Sequence, residues 1–233
     1  MRTIKIMTLN IQEYYHFDAR RSAIVSLIKK YDPDIVALQE IRDDHSKNKL
    51  GFDQAKQLNL DLNFTYLTFL PTMDLNKIKK RGGEPCYEGV ALLSKFPFSS
   101  RGIPLRKHKD DIYKRKILSA KVKLKNKNLD LFVVHFSPND LFARLHAEEA
   151  LSRAHKTIIL GDFNLRHSDI KKLARDHGYV SSTEYEYISY PADKCSYDHI
   201  FIPKPYSFLH FECIPDQVSD HRALFAEIKL CVI

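Results

Sequence analysis

Apolar positions along this chain fall into short runs, and two periods separate them. Residues 4–9, 35–38, 131–134 and 157–160 are nearly continuous in Ile, Leu, Val, Met and Phe, as in strands buried on both faces. Between the first two runs, Ala23, Ile24, Leu27, Ile28 and Tyr31 recur at helical spacing, which predicts a helix over 18–31. Asp32-Pro33-Asp34 ends it, because proline disfavours the helical conformation in the residue before it. The result is a strand-helix-strand opening. A short helix is expected over 52–60 and a strand over 64–70. From 71 to 87 the rhythm is lost and Lys77, Lys79, Lys80, Arg81, Gly82 and Gly83 gather, the pattern of a long functional loop. A strand over 88–95 then closes at Phe96-Pro97. Strands over 114–125 and 128–136 meet at Asn126-Lys127, and Asn139 is placed to cap a helix through 154 with Leu141, Leu145 and Leu151 among its apolar positions. A shorter helix follows Ser168 and ends near His177-Gly178. The last strands are expected over 197–202, 207–213 and 222–230. Strands alternating with helices, then mainly strands, predict an α/β layered fold.

The chemistry gathers at the ends of the apolar runs. The first run delivers Asn10 and the second Glu40; the third delivers His135, and the fourth Asp162 and Asn164. Tyr197-Asp198-His199 and the turn Ser219-Asp220-His221 complete the set. The residue after a buried strand sits at the rim of a sheet, so these rims imply one shared cleft. Acids, an amide and a histidine recurring at such rims are how a metal-dependent hydrolase site is built, and it needs positive charge near the bond to be cut and a base near the water. A hard divalent ion, Mg²⁺ or Mn²⁺, meets the first need, with Glu40 the first choice of ligand and Asn10 and Asp220 completing its shell. Asp162 lies two residues from Asn164, so an extended segment would turn both to one face. The competing local reading is a turn in which both side chains cap backbone groups. His199 would face away from Asp198 on a strand, and His146 and the other histidines outside these motifs read as ordinary surface or core residues.

Composition narrows the setting. The chain has 233 residues, 44% hydrophobic and 28% charged, values ordinary for a globular protein, and its motifs run from end to end, which favours one domain over 1–233. Lys plus Arg number 37 against 29 Asp plus Glu, a net charge of +8 that suits an anionic partner such as nucleic acid. Cys86, Cys195, Cys213 and Cys231 form no close pair, as expected of free thiols in a reducing compartment. A strand-like run begins at the first residues and no apolar stretch reaches membrane-spanning length, so a cytoplasmic monomer with no membrane span is expected.

The order Asn10, Glu40, His135, Asp162-x-Asn164, Asp198, Asp220-His221 resembles the endonuclease/exonuclease/phosphatase superfamily, the group that contains deoxyribonuclease I. The resemblance implies a four-layer α/β sandwich, two mixed β-sheets packed face to face with helices outside. It implies that Asp162 orients or deprotonates the attacking water, that Asn164 contacts the phosphate, and that Asp198 is the carboxylate behind His221. Glu88 stands where the deoxyribonuclease I pattern places the acidic partner of His135. Arg166, in Asn164-Leu165-Arg166, resembles the tyrosyl-DNA phosphodiesterase branch, where it would meet substrate phosphate. The basic runs Arg106-Lys107-His108-Lys109 and Lys114-Arg115-Lys116 read first as a solvated face. The chain has no tryptophan and continues Asp220-His221-Arg222-Ala223, which departs from the apurinic endonuclease branch. Cys195-Ser196-Tyr197-Asp198-His199 departs from the inositol-polyphosphate phosphatase motif. The expectation is a metal-dependent nuclease acting on DNA. The alternatives are a phosphodiesterase for a small molecule or a protein-DNA adduct, and a binding module of the same fold that has lost catalysis.

Overall fold

The computed structural model describes residues 2–46, 53–78, 83–106 and 108–231. Phe52, the basic stretch of Lys79, Lys80, Arg81 and Gly82, and Lys107 lie outside the described residues. The chain runs β1 (Arg2–Asn10), α1 (Phe17–Tyr31), β2 (Ile35–Asp44), α2 (Gln54–Leu62), β3 (Tyr66–Asp74), α3 (Leu75–Ile78), β4 (Cys86–Ser94) and β5 (Phe98–Pro104). It continues β6 (Lys116–Leu124), β7 (Lys127–His135), α4 (Asp140–Arg153), β8 (Ile158–Asp162), α5 (His167–Asp176), β9 (Tyr179–Ser181), β10 (Asp198–Pro203), β11 (Ser207–Cys213) and β12 (Leu224–Leu230).

Two six-stranded sheets result, in the orders β11-β12-β1-β2-β4-β3 and β5-β6-β7-β8-β10-β9. Each is mixed: β1 and β2 pair in parallel in the first, β7 and β8 in the second, and the other pairings are antiparallel. One apolar cluster fills the space between the sheets, where Ile6, Ala37, Val90 and Leu92 meet Leu131, Val133, Leu160 and Ile200. A second packs α1 and α2 against the outer face of the first sheet, and a third packs α4 and α5 against the outer face of the second. These are the four layers of the α/β sandwich. Truncating one of the central residues, Leu160 to Ala for example, costs about 2–5 kcal/mol in such a core.

Side chains alternate faces along a strand, and that period carries the inner stripe of each strand into the cleft. In β1 the inner positions Ile4, Ile6 and Thr8 lead to Asn10; in β7, Leu129, Leu131 and Val133 lead to His135; in β8, Ile158 and Leu160 lead to Asp162. The antiparallel neighbours enter from the same end: Ile202 and Ile200 lead back to Asp198 in β10, and Leu92 and Val90 lead back to Glu88 in β4. One end of the sandwich therefore collects polar side chains from both sheets.

The stretch 71–87, expected to be a loop, is largely ordered structure. β3 continues through Pro71 to Asp74, α3 follows, and β4 begins at Cys86. Pro71 is tolerated because β3 is an edge strand and the register shifts between Pro71 and Met73, where no ladder N–H is required. β5 has no signature in the sequence, because Phe98-Ser99-Ser100-Arg101-Gly102-Ile103-Pro104 is mostly exposed edge with no apolar alternation. In α4, Asn139 does cap the helix through Leu141 and Phe142 N–H, but Leu141 is 62% exposed and the buried face is Ala143, His146, Ala147, Ala150 and Leu151. Among the described residues no helix is long and apolar enough to cross a membrane.

Candidate active site

The polar end of the sandwich holds a cavity of about 640 Å³, lined among others by Glu40, Glu88, His135, Asp162, Asn164, Asp220 and His221. Asn10 and Asp198 support it from behind. Asn10 is fully buried; its Nδ2 donates to Glu40 Oε1 at 3.0 Å and to Asp162 Oδ2 at 3.1 Å, while its Oδ1 accepts from Gln12 N–H at 3.0 Å. The amide thus turns its nitrogen, not its oxygen, to the carboxylates. Asn10 bridges Glu40 and Asp162 rather than offering the oxygen donor expected of a metal ligand.

Strand alternation alone would send Glu40 outward with Val36 and Leu38. A bulge in β2 prevents this: the register against β4 shifts between Leu38 and Ile41, and Glu40 adopts φ 55. A non-glycine residue held in the left-handed region costs of order 1 kcal/mol or more, and here it aims the carboxylate into the cleft. Burial, with Glu88 and Asp162 nearby, pushes the Glu40 carboxyl above its ordinary pKa, against the pull of His135 and the Asn10 hydrogen bond.

Asp162 and Asn164 do not lie on one extended face. Asn164 has φ 51, its N–H donates to Asp162 Oδ1 at 2.8 Å, and its Nδ2 donates to Phe136 O at 3.1 Å. The turn reading of this motif is the correct one locally, and both side chains still line the cavity. Gly161, just before it, is required by the pairing of β8 with β7. Its φ is 139, and a Cβ there would meet Val134 O at 2.1 Å.

Two histidine–carboxylate pairs stand over Asp162. His221 Nδ1 donates to Asp198 Oδ2 at 2.8 Å and its Nε2 lies 3.9 Å from Asp162 Oδ2. Burial disfavours the imidazolium, but the charge and hydrogen bond of Asp198, with Asp162 and Asp220 adding, push His221 up to about 10. His135 Nε2 lies 3.7 Å from the same Asp162 oxygen, and its Nδ1 is 3.4 Å from Glu88 Oε1 without a hydrogen bond. Glu88 is held instead by Arg115, whose Nη1 donates to Oε1 at 2.8 Å with both groups buried. Burial opposes ionisation of Glu88, yet Arg115 and His135 outweigh it and hold the carboxyl at about 2.

Arg115 corrects the reading of 114–116 as a solvated face. Lys114 is exposed, but Arg115 is 4% exposed and lines the cavity, with its Nε unpartnered. Nothing in Lys114-Arg115-Lys116 separates the middle residue from its neighbours. Tyr113, Tyr190 and Glu13 also line the cavity and carried no motif, and Tyr197 lines it from the Tyr197-Asp198-His199 motif; Glu13 is paired with Arg42. Arg166 does not line it. It is exposed and lies beside Tyr197. His199 faces away from the cleft, accepting from Tyr187 OH at Nδ1 (2.8 Å) and donating from Nε2 to Leu165 O (3.0 Å), and burial holds it down at about 4.

The donor set fits a hard divalent cation. Glu40 and Asp220 are oxygen donors on the same cavity, and the burial that disfavours the Glu40 charge is what a bound cation would offset. Asp162, Asp198 and His221 form a second compact group, their ligand atoms all within 4.8 Å of one another.

No curated protein matches the chain. Among solved structures, an endonuclease/exonuclease/phosphatase from Beutenbergia cavernae superposes with a TM-score of 0.77 at 17% identity, covering 99% of this chain and 72% of that one. The human Nocturnin catalytic domain, solved with a bound sulfate anion, gives 0.75 at 20% identity over 97% and 94% of the two chains. D. rerio TDP2 complexed with single-strand DNA product gives 0.69 at 18% identity over 99% and 100%. Those likenesses establish the fold, and residues 7–221 match the model of the Endonuclease/Exonuclease/phosphatase family. The chain belongs to that family, whose members are phosphoric ester hydrolases.

Proposed function

We propose that the chain is a divalent-metal-dependent phosphodiesterase that cuts nucleic acid, with DNA the first substrate to test. The observation that carries this reading is the convergence on Asp162 Oδ2 of the Asn10 amide and two imidazoles, inside a cavity that also presents Glu40, Asp220 and Arg115. Bound at Glu40 and Asp220, Mg²⁺ or Mn²⁺ would supply positive charge at the phosphoryl oxygens.

The side chains divide the remaining work. Asp162, fixed through Oδ1 by Asn164 N–H and through Oδ2 by Asn10, takes a proton from the attacking water as its oxygen bonds to phosphorus. The bond from phosphorus to the leaving oxygen breaks with its electron pair, and that oxygen takes a proton from solvent. His221, kept cationic by Asp198, opposes the negative charge that develops on the phosphoryl group. Arg115 adds a fixed positive charge beside His135. The net charge of +8, together with the single-strand DNA product in the D. rerio structure and the sulfate in the Nocturnin domain, supports a polyanionic substrate.

The test is hydrolysis of supercoiled plasmid, single-stranded DNA, RNA and bis-p-nitrophenyl phosphate with Mg²⁺, Mn²⁺ or EDTA, with Glu40→Gln as control. Metal-dependent nicking of DNA, lost in Glu40→Gln, is the expected result. Turnover of the small diester alone would move the substrate to a small molecule or an adduct. No turnover of any of the four would overturn the reading in favour of a binding module.

A further inference from the structure

Beside the catalytic cavity lies a second hollow of about 360 Å³ that the chemistry above does not use. The two share Met73, and neighbouring residues divide between them. Tyr113 and Arg115 line the catalytic cavity, whereas Lys114 and Lys116 line the hollow; Glu88 lines the first and Tyr87 the second. Met73 lines both, so the hollow adjoins the catalytic cavity, and side chains that alternate along the chain divide between the two.

Its charge is positive. Lys114 is exposed and has no ion-pair partner among the described residues. Lys77 is balanced by Asp74 at 3.5 Å, but its side chain is 85% exposed, and such a pair is weak and readily exchanged for another anion. Lys116 donates to Pro71 O at 3.0 Å and holds the wall. Tyr87, half-buried, adds an aromatic ring to the lining, edge-on to His45. Cations for the backbone combined with an aromatic ring for a base is how proteins grip a single strand without reading its sequence. A small diester would be accommodated by the catalytic cavity and would have no use for this hollow.

We infer that the hollow is a second subsite of the cleft, which receives the phosphate and base of a single-stranded nucleic acid next to the nucleotides flanking the cut bond. It rests on the nuclease reading. Lys114 contacts the phosphate and Tyr87 stacks on the base, so neither acts on a substrate too short to reach them.

The test compares Lys114→Ala and Tyr87→Ala with the unaltered protein on a single-stranded oligonucleotide and on bis-p-nitrophenyl phosphate, in Mg²⁺ over a range of salt. Lys29→Ala, which removes the same charge in the last turn of α1, is the control. Each subsite variant is expected to lose about tenfold in kcat/KM on the oligonucleotide and nothing on the small diester. Lys114→Ala should also flatten the slope of log affinity against log salt by about 0.7, one phosphate contact on a single strand. Equal losses on both substrates, no loss on the oligonucleotide, or the same loss in Lys29→Ala would overturn the inference while leaving the nuclease reading intact. An unaltered protein that turns over the small diester but cuts no oligonucleotide would overturn both.

Discussion

The cleft contains two histidines at nearly equal distance from one carboxylate oxygen, and they are held differently. His221 has a carboxylate to itself: Asp198 accepts from Nδ1 at 2.8 Å, and the imidazole is pushed up to about 10. His135 faces a carboxylate already taken: Glu88 is bound to Arg115 at 2.8 Å and lies 3.4 Å from Nδ1 without a hydrogen bond. A buried guanidinium is the stronger partner for Glu88 because it is always charged, so the carboxylate turns to Arg115 rather than to His135 Nδ1. The first pair delivers charge to the cavity. The second holds the strands β4, β6 and β7 together around Arg115.

Breaking that second pair gives the largest expected effect. Arg115→Ala leaves Glu88 buried and unpaired, and should cost about 3–5 kcal/mol in urea unfolding. Arg115→Met combined with Glu88→Gln should recover much of it; a double variant as unstable as Arg115→Ala would mean the pair is not the source. Next is His221→Ala, expected to lower kcat on a phosphodiester by about 10²–10³-fold, against a smaller kcat loss for His135→Ala, and also to lower the urea midpoint because Asp198 is left buried without its partner. Comparable kcat losses would erase the proposed division.

Acid titration sharpens the comparison further, and the two pairs act in opposite directions. Glu88 has a folded-state value of about 2, below the ordinary 4.5, so its contribution to stability is present above 4.5 and is lost as pH falls through 2. It is on the order of 3 kcal/mol. His221 is raised above 6.5, so its contribution is full below 6.5 and is lost as pH rises through about 10. Urea midpoints of Glu88→Gln should therefore lose the acid limb, and those of Asp198→Asn the alkaline one. Smallest is the α4 cap, where Asn139→Ala should cost about 1 kcal/mol without touching activity.

The same physics explains why some of the site is legible in the sequence and some is not. Asn10, His135, Asp162 and Asp198 each continue the inner apolar stripe of a strand, so a two-residue period points to them. Glu40 breaks that period, and it reaches the cleft only through a bulge and a left-handed residue that no alternation pattern records. Spacing alone makes Asn164 an extended partner of Asp162, but a local hydrogen bond from its own N–H folds it into a turn. Arg115 is invisible among lysines, because its burial depends on Glu88, which is distant in sequence and adjacent only in the folded sheets. Short-range patterns disclose the strands and their ends; bulges, turns and buried ion pairs are decided by contacts between strands.

The most direct test is a titration of the histidine ring nitrogens by ¹⁵N NMR in the metal-free protein. His221 should be protonated on both nitrogens at pH 8 and lose its proton near 10, with Asp198→Asn returning it toward the ordinary value. A His221 that titrates near 6.5 in the unaltered protein would contradict the claim that Asp198 keeps a fixed cation over Asp162.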